Sequence, residues 1–193
     1  YSFSENFPWY EYKDKIKSVN VEDGVTYIGS MAFHGCSGLT SITIPDSITS
    51  VGEMAFWGCG SLTSVTIPNS VTSIGEMAFQ DCRGLTSITI PDSVKEIGDS
   101  AFFGCTGLIS INIPNSVTSI GKWAFRLTFN LTSINVDAKN KEYKSIDGVL
   151  LSKDGTKLIE CPKGKNATYT IPDSVKEIGD SAFMDCESLT SIT

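Results

Sequence analysis

Between Ser70 and Cys82 the chain reads SVTSIGEMAFQDC, and near-copies of that string begin at Ser47, Ser93, Ser116 and Ser174. Cys36, Cys59, Cys82 and Cys105 stand 23 residues apart, as do Pro45, Pro68, Pro91 and Pro114, and the run Phe33, Phe56, Phe79, Phe102 and Phe125. The unit is L-T-S-I-T-I-P-x-S-V-T-S-I-G-x-x-A-F-x-x-C-x-x. A fixed period of this order signals a solenoid, a propeller or an array. At 23 residues it is too short for a propeller blade, so each copy predicts one turn of a solenoid.

Each part of the unit has a local reading. LTSITIP alternates, with Leu39, Ile42 and Ile44 inward and Thr40, Ser41 and Thr43 outward, and its β-branched residues suit a strand. Proline ends it, having no N–H for a further rung, and Asp or Asn followed by Ser makes a turn. VTSIG predicts a second short strand, closed by a glycine where the backbone has positive φ or approaches another closely. EMAFWG predicts one helical turn, with Gly58 as its stop. Adjacent strands stack in parallel at about 4.8 Å. The inward set of one coil, Leu39, Ile42, Ile44, Ile48, Val51, Ala55, Phe56 and Cys59, is too small to offset the entropy of ordering the coil alone. Stacked coils seal each other's flanks, which is why the phrase recurs.

This pattern resembles the BspA-like leucine-rich repeats, whose consensus is I-P-x-S-V-T-S-I-G-x-x-A-F-x-x-C-x-x-L. The likeness covers most of Val19 to Thr193, with G-x-x-A-F at Gly29, Gly52, Gly75, Gly98, Gly121 and Gly179. The opening NFPWYEYKDKIKSVNVEDGVTYIG is similar to the segment that precedes such arrays. The resemblance implies an α/β leucine-rich-repeat horseshoe or right-handed superhelix, with short parallel strands and one short helical turn per coil. It also implies an extracellular or cell-surface setting in bacteria or some protists, and binding to host proteins or other cells in several members. The expected organisation is a capping segment over residues 1–18 and a solenoid over 19–193, with a hairpin-bearing insert at 137–170.

Composition bounds the function. The chain has 193 residues, of which 40% are hydrophobic and 19% charged. No apolar run approaches the ~20 residues of a membrane helix, and no signal peptide is visible. The net charge is −7, which argues against nucleic acid as a partner. From Lys139 to Lys165 there are seven lysines and four acids, a net of +3, which leaves −10 on the remainder.

The repeat breaks in three places. AFRLTFNL puts Leu127 and Thr128 where Gly and Cys belong. Val136–Thr170 is then interposed, so Pro114 and Pro172 lie 58 residues apart. Within it, DGVLLSKDGTKLIECP predicts a hairpin turning at Asp154-Gly155. The simpler expectation is an enlarged coil; the sharper one is a lysine-rich projection that docks a partner. At the start, Tyr1, Phe3, Phe7, Trp9, Tyr10 and Tyr12 crowd into twelve residues and predict an aromatic cap over the first coil. At the end, LTSIT stops short of Ile-Pro, which suggests that the natural protein continues.

Chemistry is sparse. Equivalent cysteines on stacked coils fall within disulfide range by Cα, but their Cβ vectors run parallel, whereas a bridge needs Cβ atoms about 3.8 Å apart. Cys36, Cys59, Cys82, Cys105 and Cys186 are therefore read as a buried reduced column, with Cys161 off-register and open to exposure. His34 shares its slot with Trp57, Gln80, Phe103, Arg126 and Met184 in other coils, the variability of a surface position rather than a catalytic or metal site. The column Asp46, Asn69, Asp92, Asn115 and Asp173 is read as side-chain capping of turns rather than calcium binding between coils. No cofactor is implied.

Two outward faces remain. The strand face carries rows of Ser, Thr and Asn, such as Ser41 and Thr43. The face of the expected helical turn carries Met54 with Trp57, Met77, Phe103, and Trp123 with Arg126. Large apolar groups on a variable slot are candidate anchors, and Arg126 is placed to pair with an acidic group on a partner. The sequence thus predicts a monomeric, non-enzymatic surface or secreted module that binds a protein or glycan through those six residues. The alternative is a structural spacer within a larger multidomain surface protein.

Overall fold

The computed structural model describes residues 8–193. Tyr1, Phe3 and Phe7 of the expected cap lie outside them. Two rows of short parallel strands run along the molecule. In the first row Ser18–Asn20 pairs with Ser41–Thr43, Ser64–Thr66 with Ser87–Thr89, and Ser110–Ile113 with Ser133–Val136. In the second, Tyr27–Ile28, Ser50–Val51, Ser73–Ile74, Glu96–Ile97 and Ser119–Ile120 form one five-stranded sheet. Every one of these partners is 23 residues on in sequence, so the period of the sequence is the register of the sheet.

The third face is not a helical turn, which corrects the expectation of an α/β coil. The helical element among the described residues is a single 3-10 turn at Tyr10–Tyr12. Within EMAFWG, alternate amides point in different directions. Ala55, Trp57 and Cys59 donate back within the coil to the carbonyls of Gly52, Met54 and Phe56; Met54, Phe56 and Gly58 donate to the carbonyls of Glu76, Ala78 and Gln80 of the next coil, each at 2.8 Å. This zigzag requires two left-handed residues per coil. Met54, Met77, Ser100 and Trp123 fill the first slot with φ of 54–59°. Gly58, Asp81, Gly104 and Leu127 fill the second. A continuous right-handed turn is incompatible with a residue at φ near +55°. The result is a parallel β-solenoid whose coils are hydrogen-bonded on this face as well.

The glycine that closes VTSIG serves close approach. A Cβ on Gly75 would lie 2.6 Å from the Gly52 carbonyl carbon, and one on Gly98 would lie 2.6 Å from the Glu76 nitrogen. In the turns after proline, the serine makes the inter-coil contact: Ser47, Ser70, Ser93 and Ser116 hydroxyls donate to the carbonyls of Val25, Ile48, Val71 and Val94 at 2.5–2.7 Å. The neighbouring Asp46, Asn69, Asp92 and Asn115 are exposed.

The interior is a set of columns. Leu39, Leu62, Leu85, Leu108 and Leu131 have no exposed surface. Phe33, Phe56, Phe79, Phe102 and Phe125 form a stack with ring centroids 5.1–5.9 Å apart and planes within 16°. Trp9 extends this stack onto Phe33 at 6.3 Å and anchors itself through Nε1–H to the Ala32 carbonyl at 2.9 Å. It closes the apolar flank that the first coil would otherwise present to water.

The insert is an enlarged coil. Tyr143–Ile146, Val149–Ser152 and Lys157–Glu160 form an antiparallel meander, and Lys157–Glu160 then pairs in parallel with Glu177–Ile178 of the last coil. The hairpin at Asp154-Gly155 is present. A tighter one precedes it at Asp147-Gly148, both with positive φ. Buried Asn140 ties the insert to the fifth coil. Its Nδ2 donates to the Pro114 and Val117 carbonyls, and its Oδ1 accepts from the Glu142 and Tyr143 amides. A second core forms beneath, from Val149, Leu151, Leu158, Cys161, Tyr169 and Ala182. The lysines of this segment are dispersed. Lys163 is buried against Glu160, Lys157 pairs with Glu177, and Lys153 and Lys165 donate to the Ala138 and Asp147 carbonyls.

Candidate functional site

The left-handed slot has a consequence for the surface. In this slot the large side chains reach the surface, whereas the small Ser100 is buried. Met54 and Met77 occupy this slot in successive coils, and Trp123 two coils further on. All are at least partly exposed. Three residues later the half-buried column of His34, Trp57, Gln80, Phe103 and Arg126 runs parallel to it. His34 meets the Trp57 ring edge-on at 5.0 Å, and burial, with Lys13 nearby, lowers its pKa. Trp57 is half-buried between coils, and its Nε1–H points at Asp81 Oδ2, 3.4 Å away.

Trp123 differs from Met54 and Met77, which share its slot, because the ladder stops there. Phe102 and Gly104 still donate to the carbonyls of Ala124 and Arg126. Among the described residues, no following coil accepts from the amides of Trp123 or Phe125. Ser119–Ile120 is the edge of its sheet, and the insert strand Lys157–Glu160 turns to Glu177–Ile178 instead. The gap is a cleft of about 310 Å³, lined on one side by Ile120, Lys122 and Trp123 and on the other by Lys157, Ile159, Glu160, Asp180 and Ser181. Trp123 stands on its wall with 52% of its surface exposed.

Arg126 is already paired within the chain, contrary to the sequence reading that left it for a partner's acid. Its Nε donates to Asp185 Oδ2 at 3.3 Å, and its guanidinium lies 5.8 Å from the Trp123 ring centroid. It therefore bridges the fifth coil to the last and steadies the indole. The six sequence-predicted residues thus fall into two groups. Met54, Trp57, Met77 and Phe103 form a strip along the regular coils; Trp123 and Arg126 sit at the cleft. The opposite wall was missed in the sequence because it depends on where the insert re-enters the stack.

The cysteines also divide. Cys36, Cys59, Cys82 and Cys105 are free and buried, as expected. Burial, the largest cause, raises their thiol pKa values. Thr128 replaces the next cysteine of the column, and its hydroxyl donates to the Phe125 carbonyl at 2.5 Å. Cys161 is fully buried and Cys186 partly exposed, the reverse of the sequence expectation.

The geometry defines a leucine-rich-repeat β-solenoid with an interrupted stack. The family model for the BspA type leucine-rich repeat region matches over residues 7–132, 73–153 and 156–193. The chain belongs to that family. Among solved structures it is similar to the pneumococcal vaccine antigen PcpA, with 29% identity and a TM-score of 0.80 over 92% of this chain and 50% of that one. It is similar also to a leucine-rich cell surface protein of Faecalibacterium prausnitzii, with 32% identity and a TM-score of 0.69 over 92% and 60%. A leucine-rich repeat protein of T. pallidum matches at 27% identity and a TM-score of 0.62, over 91% and 68%. The chain spans 50% and 60% of the length of the first two. A search of curated proteins gives no match.

Proposed function

We propose that this chain is a non-catalytic recognition module of a cell-surface or secreted protein, and that it binds a protein or glycan at the cleft beside Trp123. The observation that carries this reading is the exposed indole on the cleft wall, held by Arg126, flanked by Lys122 and faced by Lys157, Glu160 and Asp180. A rigid aromatic face ringed by charged and polar groups suits either the apolar face of a sugar ring or an apolar side chain in a polar segment. The half-buried strip of Met54, Trp57, Met77 and Phe103 offers further adaptable contact area. The surface setting is supported by similarity to proteins described as a vaccine antigen and a cell surface protein. A spacer role is the second reading, favoured by the uniformly polar rows of Ser, Thr and Asn on the first strand face.

The test is a screen of the purified chain against arrayed glycans and extracellular glycoproteins, repeated with Trp123→Ala. The reading expects at least one ligand whose binding weakens by about 2 kcal/mol or more in the variant, with the melting temperature nearly unchanged. No ligand in either array, or a ligand bound equally well by Trp123→Ala, would move the balance to the spacer.

A further inference from the structure

In the regular coils three of the four column thiols are committed to a carbonyl of the preceding coil. Cys59, Cys82 and Cys105 donate to the carbonyls of Phe33, Phe56 and Phe79, at 3.1, 3.1 and 3.0 Å. Their Cβ vectors repeat from coil to coil and so keep the sulfurs apart. The insert changes the partner. The Cys161 amide donates to the Ala182 carbonyl at 2.8 Å, the same bond that Phe56 makes to Ala78 and Phe102 to Ala124. Cys161 therefore occupies a phenylalanine position. Cys186 holds the ordinary cysteine position of the next coil, and its thiol reaches the Cys161 carbonyl at 3.5 Å as column thiols reach a phenylalanine carbonyl. Both sulfurs also approach the Pro162 carbonyl oxygen at 3.8 Å. Arising from different backbone slots, these two side chains converge, and the parallel-vector argument does not apply to them.

We propose that Cys161 and Cys186 are a redox-active thiol pair, convertible to a disulfide that fastens the last coil to the insert.

The surroundings suit that chemistry. Cys186 is partly exposed and Cys161 fully buried. The neighbouring Cys161 thiol, helped by the Lys163 ammonium, lowers the Cys186 pKa; the same thiol–thiol interaction, with burial, pushes Cys161 up. Lys163 is itself buried, 2.6 Å from Glu160 Oε1 and 3.4 Å from the Cys161 carbonyl. The nearby Tyr169 hydroxyl is buried with no hydrogen-bond partner among the described residues, so polar groups cluster in this part of the core. An accessible thiol of lowered pKa beside a buried resolving thiol is the arrangement that thiol–disulfide exchange requires.

The oxidant is a small disulfide such as oxidised glutathione. The Cys186 thiolate attacks one of its sulfurs; the S–S bond breaks, and one small thiolate leaves. Cys161 then gives up its proton, its sulfur attacks Cys186 Sγ, and the mixed disulfide breaks to release the second small thiolate. Two protein thiols are oxidised, one small disulfide is reduced to two thiols, and the two protein protons end on those thiols.

The folded chain is incubated with oxidised glutathione, alkylated in denaturant and mapped by mass spectrometry. One internal disulfide is expected, joining Cys161 to Cys186, with the other four cysteines alkylated and full reversal by dithiothreitol. Cys161→Ser is expected to retain glutathione on Cys186. Six alkylated thiols in the treated wild-type chain, or a bridge between column cysteines, would overturn the proposal. That wild-type measurement stands whether or not the serine variant folds.

Discussion

The coils from Tyr27 to Leu131 and the segment from Val136 to Thr193 use the same phrase under different conditions. In the first, the inner coils have copies of themselves on both sides. Alternate amides bond the next coil, the leucines and phenylalanines stack on the equivalent residue one period away, and the core residues are almost completely buried. In the second, the neighbour is the insert, which is not a copy. Ile178 is 53% exposed and Ile192 46%, Phe183 is only half-buried, and its contact to Tyr169 is tilted by 51° at 6.4 Å rather than stacked. The same sequence motif yields a sealed coil or a loose one according to what it packs against. The polar and accessible features, namely the cleft at Trp123 and the Cys161–Cys186 pair, arise where copy meets non-copy.

The largest effect is expected at Phe79, the middle of the ring stack. Phe79→Ala should cost about 3–5 kcal/mol in denaturant unfolding, and Phe183→Ala clearly less, because its ring is already partly solvated. Equal costs would mean that the two regions are packed alike. Next is Asn140, whose amide makes four hydrogen bonds where the insert leaves the fifth coil. Asn140→Ala leaves buried backbone groups unpaired and should cost about 2–3 kcal/mol, with limited proteolysis cutting first within the insert. Cutting first in the regular coils would show that Asn140 is no anchor. The smallest effect is expected at Thr66, exposed on the first strand face. Thr66→Ala should change stability by less than ~0.5 kcal/mol, and a loss near that of Phe79→Ala would invert the inward and outward assignment.

The regular part was legible because period equals register. Once the step of Cys36, Cys59 and Cys82 is seen, the strand partners, the leucine and phenylalanine columns and the reduced thiols follow. The helical turn was misread because E-M-A-F-W-G opens with the good helix formers Glu, Met and Ala. Only the demand of the next coil for alternate amides forces Met54 into a left-handed conformation that methionine rarely adopts. The first hairpin of the insert was readable: Ile146-Asp147-Gly148-Val149 is a strong hairpin signal, passed over for the later Asp154-Gly155. The role of Cys161 was not readable. It depends on the register at which the insert rejoins the stack, and no local residue pattern fixes that. For the same reason Trp123 was recognised as a candidate anchor from its slot, while the wall facing it was not.

Native-state hydrogen exchange tests the contrast most directly. The amides of Phe56, Phe79 and Phe102, which donate to the next coil, are expected to exchange only on global unfolding. Those of Ile171, Gly179 and Thr193 in the last coil should exchange through a separate opening of lower free energy. A single protection level shared by both sets would contradict that contrast.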